Sequence, residues 1–173
     1  MTNPFAIFDL PVAFNVDQAI LSERYLALQK SLHPDNFVTA DAQEQRIAMQ
    51  KSTEVNDALK TLKDPILRAE AIIALNTGEA QDLEQKSTQD VTFLMQQLEW
   101  REELENIEQS QDENALESFA KRVKKETKEM LTALEAQLNE QQWSTAAQFC
   151  DKLRFLKKLA DEISQVEERL FEL

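Results

Sequence analysis

The densest chemistry in this sequence lies in Leu32-His33-Pro34-Asp35-Asn36-Phe37. An imidazole, a carboxylate and a carboxamide fall close together around a proline that fixes its own φ. Catalysis would need a nucleophile, a base and an orienting group in mutual reach, and no second histidine, nucleophile or oxyanion cradle lies nearby in sequence. His33 is the single histidine and Cys150 the single cysteine. That excludes an internal disulfide and any His-pair or Cys-based metal site held by this chain alone. What remains is recognition. Proline sets the loop conformation in advance, which lowers the entropy lost on docking, and Asp35 can form a charge-assisted pair with a cation on a partner. Taken alone, the same residues also read as a connector. Histidine at a helix C-terminus favours the dipole, proline stops the helix, and Asp or Asn starts the next.

The elements that must hold this loop are helices. Leu21, Tyr25, Leu28 and Leu32 recur at spacings of four, three and four, placing them on one face of a helix over 17–32, with Asp17 as N-cap and Pro34 ending the segment. A second helix is expected from about Asp41 to Lys63, with Ile47, Val55, Leu59 and Leu62 inward. Asp64-Pro65 then caps and starts a short helix to about Leu75. Before these, Asn3-Pro4 with Phe5, Ile7 and Phe8 reads as one helical turn packing aromatics. Asn76-Thr77-Gly78 holds the only glycine, where a helix C-cap would want it. The stretch that follows lacks apolar periodicity, so residues 76–88 are expected to be a linker between domains at 1–75 and 89–173.

The second domain reads as an antiparallel three-helix bundle: 89–110, 112–139 and 144 to the end, with Ser144 capping the last. The middle helix carries Leu116, Phe119, Val123, Thr127, Met130, Leu134 and Leu138 in a three-four seam. The last carries Phe149, Leu153, Leu156, Ala160 and Ile163, with Cys150 beside the seam as packing. No strand pattern appears, so the fold class is all-α.

Composition narrows the function. One glycine in 173 residues argues against phosphate-cradling loops and dinucleotide folds. The net charge is −13, and a chain this acidic is repelled by nucleic-acid phosphates. Residues 1–75 carry 7 basic and 10 acidic side chains, residues 76–173 carry 12 and 22, so the acidity belongs mainly to the second domain. The basic cluster Lys121, Arg122, Lys124, Lys125 and Lys128 reads as a solvated face among glutamates. No stretch is long and apolar enough for a bilayer, and the N-terminus lacks the features of a secretion signal. A cytoplasmic protein with no nucleic-acid or membrane partner and no cofactor is expected.

The helix from Gln89 presents two apolar faces. At about 100° per residue, Phe93, Trp100, Leu104 and Ile107 share one line, while Val91, Leu94, Met95 and Leu98 lie roughly opposite. A bundle helix needs one core face. The second face either inserts beneath the other domain or is an exposed partner site, with Glu99 and Glu102 as an acidic rim suited to a partner with basic residues around an apolar spot. Phe155, about 100° from its own helix seam, either reaches this surface or covers the bundle edge.

The spacing Tyr25-x2-Leu28-x4-His33-Pro34-Asp35, together with Leu59-x2-Leu62-x-Asp64-Pro65-x2-Arg68-Ala69, resembles the J-domain of DnaJ-type co-chaperones over residues 3–75. The resemblance implies that His33, Pro34 and Asp35 dock on a DnaK-type ATPase chaperone and stimulate its ATP hydrolysis, with Arg24 and Lys30 on the outer side of their helix adding electrostatic steering. J-domains usually carry a denser basic run before the tripeptide and a Lys after it. Here Gln29-Lys30-Ser31 and Asn36 stand instead, which suggests a specialised ATPase. Beyond the J-domain, Phe93-Leu94-Met95-x2-Leu98-Glu99-x-Arg101-Glu102-Glu103-Leu104 and Lys152-Leu153-Arg154-Phe155-Leu156 resemble the branch of this family that serves iron–sulfur cluster assembly. That likeness implies that Leu94, Met95, Leu98, Glu99, Glu102 and Phe155 bind an IscU-like cluster scaffold and that the ATPase is HscA-like. Eukaryotic relatives carry a Cys-rich zinc segment before the J-domain, and a start directly at the J-domain is expected of a bacterial form. The expected role is a non-enzymatic adaptor that holds no cluster itself. A J-protein with another client, or a helical assembly protein without an ATPase link, are the alternatives.

Overall fold

The computed structural model describes residues 3–78 and 90–171. Every regular element among them is helical, as the periodicity implied. None of these helices is long and apolar enough to cross a membrane. The chain divides into two compact units, Met1–Glu79 and Ala80–Leu173. The expected linker lies outside the described residues from 79 onward. Its first residues, Asn76 and Thr77, instead continue the preceding helix to Gly78.

In the first unit every helix begins on a side-chain cap. The Asn3 carboxamide accepts from the Phe5 and Ala6 amides at 3.0 and 3.2 Å and starts α1 (Pro4–Ile7), with Pro4 in the first turn. Asp17 does the same for α2 (Gln18–Ser31), Asp41 for α3 (Ala42–Lys63) and Asp64 for α4 (Pro65–Thr77). Each cap supplies an acceptor to amides that have no partner within the helix. Gly78 closes α4 at φ 75°, in the left-handed region where a Cβ would be strained.

The core of this unit is Phe5, Phe8, Phe14, Leu21, Ala48, Val55, Ala58, Leu62, Ile66, Ala69, Ile72 and Ile73. On α3 the inward set differs from the expected one. Ile47 is exposed, and Ala48 and Ala58 stand with Val55 and Leu62 on the buried face. Small alanines let neighbouring elements approach α3 closely, and Ile47, one residue from Ala48, is turned about 100° away. On α2 only Leu21 is fully buried, with Tyr25, Leu28 and Leu32 partly so. Polar bonds supplement that thin seam. Tyr25 Oη and Gln29 Nε2 both donate to Asn56 Oδ1, at 2.8 and 2.7 Å, and Ser52 Oγ donates to Gln29 Oε1 at 3.0 Å. These pairs ascend α2 as they descend α3, so the two helices form an antiparallel hairpin.

Two arginines tie segments to this hairpin. Arg24, expected on the outer side of α2, is half-buried instead, and its Nη1 donates to the Phe8 and Asp9 carbonyls at 2.8 and 2.6 Å. Asp9 sits at a positive φ of 52°, so the guanidinium braces a strained corner. Arg68 Nη1 donates to the Leu62 carbonyl at 2.6 Å while its guanidinium stacks 5.0 Å from the centre of the Phe14 ring. Burial draws the Arg68 pKa below its usual value, and the nearby Asp64 charge partly restores it.

The second unit is the expected bundle: α5 (Val91–Ser110), α6 (Glu113–Asn139) and α7 (Trp143–Phe171). Its turns are made without glycine, by Gln111 at φ 54° and Gln141 at φ 60°. Each left-handed residue costs about 1 kcal/mol. The last helix starts at Trp143, so Ser144 lies inside it rather than capping it. Arg101 pairs with Glu162 at 3.1 Å and Arg169 with Glu108 at 3.2 Å. The partners ascend both helices together, so α5 and α7 run parallel, with α6 returning between them. Leu116, Phe119 and Val123 of α6 meet Phe93, Leu104 and Ile107 of α5 and Leu156, Leu159, Ile163 and Val166 of α7 in one core. Cys150 is buried as expected, but on α7 Leu159 takes the inward place given to Ala160, which is exposed.

Phe155 is part of this core. It is 8% exposed and meets Phe93 edge-to-face, with ring centres 5.9 Å apart, under the Arg101 guanidinium at 5.7 Å. The helical wheel left its side undecided, because α7 buries residues on two sides, one of them toward α5. Phe155→Ala is therefore expected to lower unfolding free energy by about 3 kcal/mol, against less than about 0.5 kcal/mol for Leu98→Ala. Urea denaturation of the two variants checks this. Arg24→Ala is expected to cost about 2 kcal/mol by releasing two carbonyls from a charged donor, read as a lowered melting temperature.

Candidate functional site

Helix α2 ends at Ser31, and Pro34 opens a single 3₁₀ turn, Pro34–Phe37. His33 is therefore not the end of the preceding helix but the N-cap of this turn: its Nδ1 accepts from the Asp35 amide at 3.2 Å. That bond makes Nδ1 the acceptor and leaves the proton of the neutral ring on Nε2. The same Nδ1 stands 3.5 Å from Asp35 Oδ2, so imidazole and carboxylate are held side by side. Both side chains are exposed, as is Pro34.

Side-chain amides hold the backbone beneath them. Asn36 Nδ2 donates to the Lys30 and Ser31 carbonyls at 2.8 and 3.3 Å, capping the open end of α2, and the Asn36 amide donates to the His33 carbonyl at 2.9 Å. From the other side Gln45 Nε2, on α3, donates to the Phe37 and Ala40 carbonyls at 2.9 and 3.2 Å. The tripeptide is thus displayed to solvent on a loop fastened to both helices. Asn36 was legible as a residue suited to a helix end. Gln45 gave no signal, because nothing in its spacing separates it from an ordinary surface glutamine. Lys30 is exposed on the last turn of α2, beside the loop. Among the described residues no cluster of His, Cys, Asp or Glu could hold a metal ion.

The second surface lies on α5. Val91, Leu94, Met95 and Leu98 are all exposed, Met95 at 56% and Leu98 at 68%, while Phe93, Leu104 and Ile107 of the same helix are buried. Glu99 and Glu102 are exposed beside the apolar residues. They line an open, acidic hollow of about 350 Å³ together with Glu103, Asn106, Ile107 and Ser110. Glu103 is also bonded to Arg122, whose guanidinium stacks on Trp100 and Phe119. Of the six residues expected on this face, Leu94, Met95, Leu98, Glu99 and Glu102 are brought together at the surface. Phe155 is withdrawn into the core behind Phe93.

Comparison with known proteins places this arrangement. The family described as the HSCB C-terminal oligomerisation domain matches residues 89–164. The chain is 70% identical over 173 residues to the co-chaperone protein HscB homolog of Haemophilus influenzae, covering all of this chain and 99% of that one. It is 58% identical to the homolog of Mannheimia succiniciproducens, over 98% of each. Among solved structures, chaperone HscB from Vibrio cholerae superposes with a TM-score of 0.93 at 42% identity, over 98% of this chain and 100% of that one. The human co-chaperone HscB superposes with a TM-score of 0.86 at 27% identity, over 100% of this chain and 84% of that one. Full-length identity at this level, on a fold that displays His33-Pro34-Asp35 from a fastened helical hairpin, settles the relationship: the chain belongs to the HscB co-chaperone family.

Proposed function

We propose that the protein is a two-site adaptor for iron–sulfur cluster assembly. The unit containing residues 1–75 docks on a DnaK-type, HscA-like ATPase through His33, Pro34 and Asp35, with Lys30 steering the encounter. Arg24 acts in the fold rather than at the contact. The unit containing residues 89–173 holds an IscU-like cluster scaffold through Leu94, Met95 and Leu98, with Glu99 and Glu102 pairing with basic residues around an apolar spot on that partner. Phe155 supports the surface from behind by fixing Phe93. The chemistry, ATP hydrolysis, belongs to the ATPase. The adaptor raises the local concentration of scaffold beside it and triggers hydrolysis, and the scaffold's cluster then passes more readily to acceptor proteins.

The observation that carries this reading is the tripeptide itself, solvent-exposed yet fixed by Asn36 and Gln45. A preorganised loop loses little entropy on docking, so a small contact can suffice. The carboxylate and imidazole offer a charge-assisted contact and a directional donor.

Steady-state ATP hydrolysis by the HscA-like partner, with adaptor and scaffold added singly and together, tests the reading. Wild type is expected to stimulate alone and more strongly with scaffold. His33→Gln is expected to lose at least about tenfold of that stimulation, equivalent to about 1.4 kcal/mol of docking free energy. Unchanged stimulation by a folded His33→Gln variant contradicts the ATPase assignment. A Leu94/Met95/Leu98→Ala variant is expected to keep the scaffold-independent stimulation and lose the synergy. If that synergy survives, the α5 face is not the scaffold site.

A further inference from the structure

The fastened loop leaves a cleft against α3 that the docking reading does not use. It measures about 420 Å³ and is lined chiefly by Leu32, Pro34, Phe37, Val38, Ala48 and Met49. Val38 and Met49 at its mouth are each 71% exposed. Pro34 belongs both to the tripeptide and to this cleft, so the apolar surface continues directly from the docking residues.

The polar groups at its edges have their donors engaged within the protein. Gln45 Nε2 donates to the Phe37 and Ala40 carbonyls, Ser52 Oγ to Gln29 Oε1, and Thr53 Oγ1 to the Met49 carbonyl. What the cleft offers a partner is therefore mainly apolar area, bounded by a flexible methionine able to close over an inserted group. The exposed cations nearby are few. Arg24 is committed to the Phe8 and Asp9 carbonyls, leaving Lys30 on the last turn of α2, and Arg46 and Lys51 beside the lining residues Gln45 and Ser52 of α3. Solvent-exposed charges of this kind are screened by salt, and apolar burial beside the tripeptide adds a contact that salt does not screen.

We propose that this cleft receives a bulky aliphatic side chain from the surface of the ATPase that contacts His33 and Asp35. The inference rests on the docking reading above and assigns the source of its affinity. Burial of the Val38 and Met49 side chains on docking then contributes as much as the charged contacts, and the attachment depends only weakly on salt.

The test is titration of the HscA-like ATPase with wild type, Val38→Ser/Met49→Ser and the near-isosteric Val38→Thr, with His33→Gln in parallel and a thermal melt of each. The double variant is expected to raise the half-saturating concentration about tenfold, and Val38→Thr about threefold, with maximal stimulation retained. Raising the salt concentration from about 0.05 to 0.2 M is expected to move the wild-type half-saturation less than about threefold. An unchanged half-saturating concentration for the folded cleft variants, alongside loss of stimulation in His33→Gln, overturns the cleft assignment and leaves the docking reading standing. A His33→Gln variant that stimulates normally overturns the reading beneath it.

Discussion

A docking loop has to be exposed and still at once, and the two demands conflict. Exposed backbone is solvated and mobile unless something inside the protein occupies its carbonyls and amides. Here the answer is three side chains. Asn36 takes two carbonyls at the end of α2, Gln45 takes two in the loop from α3, and His33 Nδ1 takes the Asp35 amide. The helices on either side hold the two ends of that loop. The antiparallel hairpin does so with a thin apolar seam and the Tyr25–Asn56–Gln29–Ser52 network. α1 and α4 complete the core around α3, and Arg24 and Arg68 anchor the segments that connect them.

The second unit solves a different problem with the same material. α5 has more apolar residues than its place in the bundle can bury. Phe93, Leu104 and Ile107 face α6 and α7, and Val91, Leu94, Met95 and Leu98 are left outside. The exposed stripe has charged surroundings. Glu99 and Glu102 lie beside it, and the ion pairs of Arg101 with Glu162 and Arg122 with Glu103 hold the neighbouring helices in place. A helix that gives half its apolar surface to the core and half to solvent is stabilised less by its own unit and is suited to completion by a partner.

Much of this was legible from residue spacing. The caps Asp17 and Asp64 and the glycine at the end of α4 follow from local chemistry alone, and so did the two faces of α5. The failures have a common physical root, since each depends on what a neighbouring element supplies. Ile47 was expected inward because it is large, but the tight contact on α3 selects Ala48. Ser144 is a good cap by type, yet the turn at Gln141 lets α7 begin at Trp143. Arg24 was expected to be a surface cation, and only the fold brings the Phe8 and Asp9 carbonyls to it, sixteen and fifteen positions away in sequence. Phe155 belongs to the core because α5 packs parallel to α7 and offers Phe93.

An adaptor needs both sites on one chain, so splitting them between two molecules is expected to abolish the synergy. An equimolar mixture of His33→Gln, with its α5 face intact, and Leu94/Met95/Leu98→Ala, with its tripeptide intact, is added to the ATPase and the scaffold, and synergistic ATP hydrolysis is measured. If the protein is an adaptor, the mixture gives no more than the scaffold-independent stimulation of the second variant alone. Restoration of the full wild-type synergy by the mixture contradicts the account, because the two surfaces would then act without being joined.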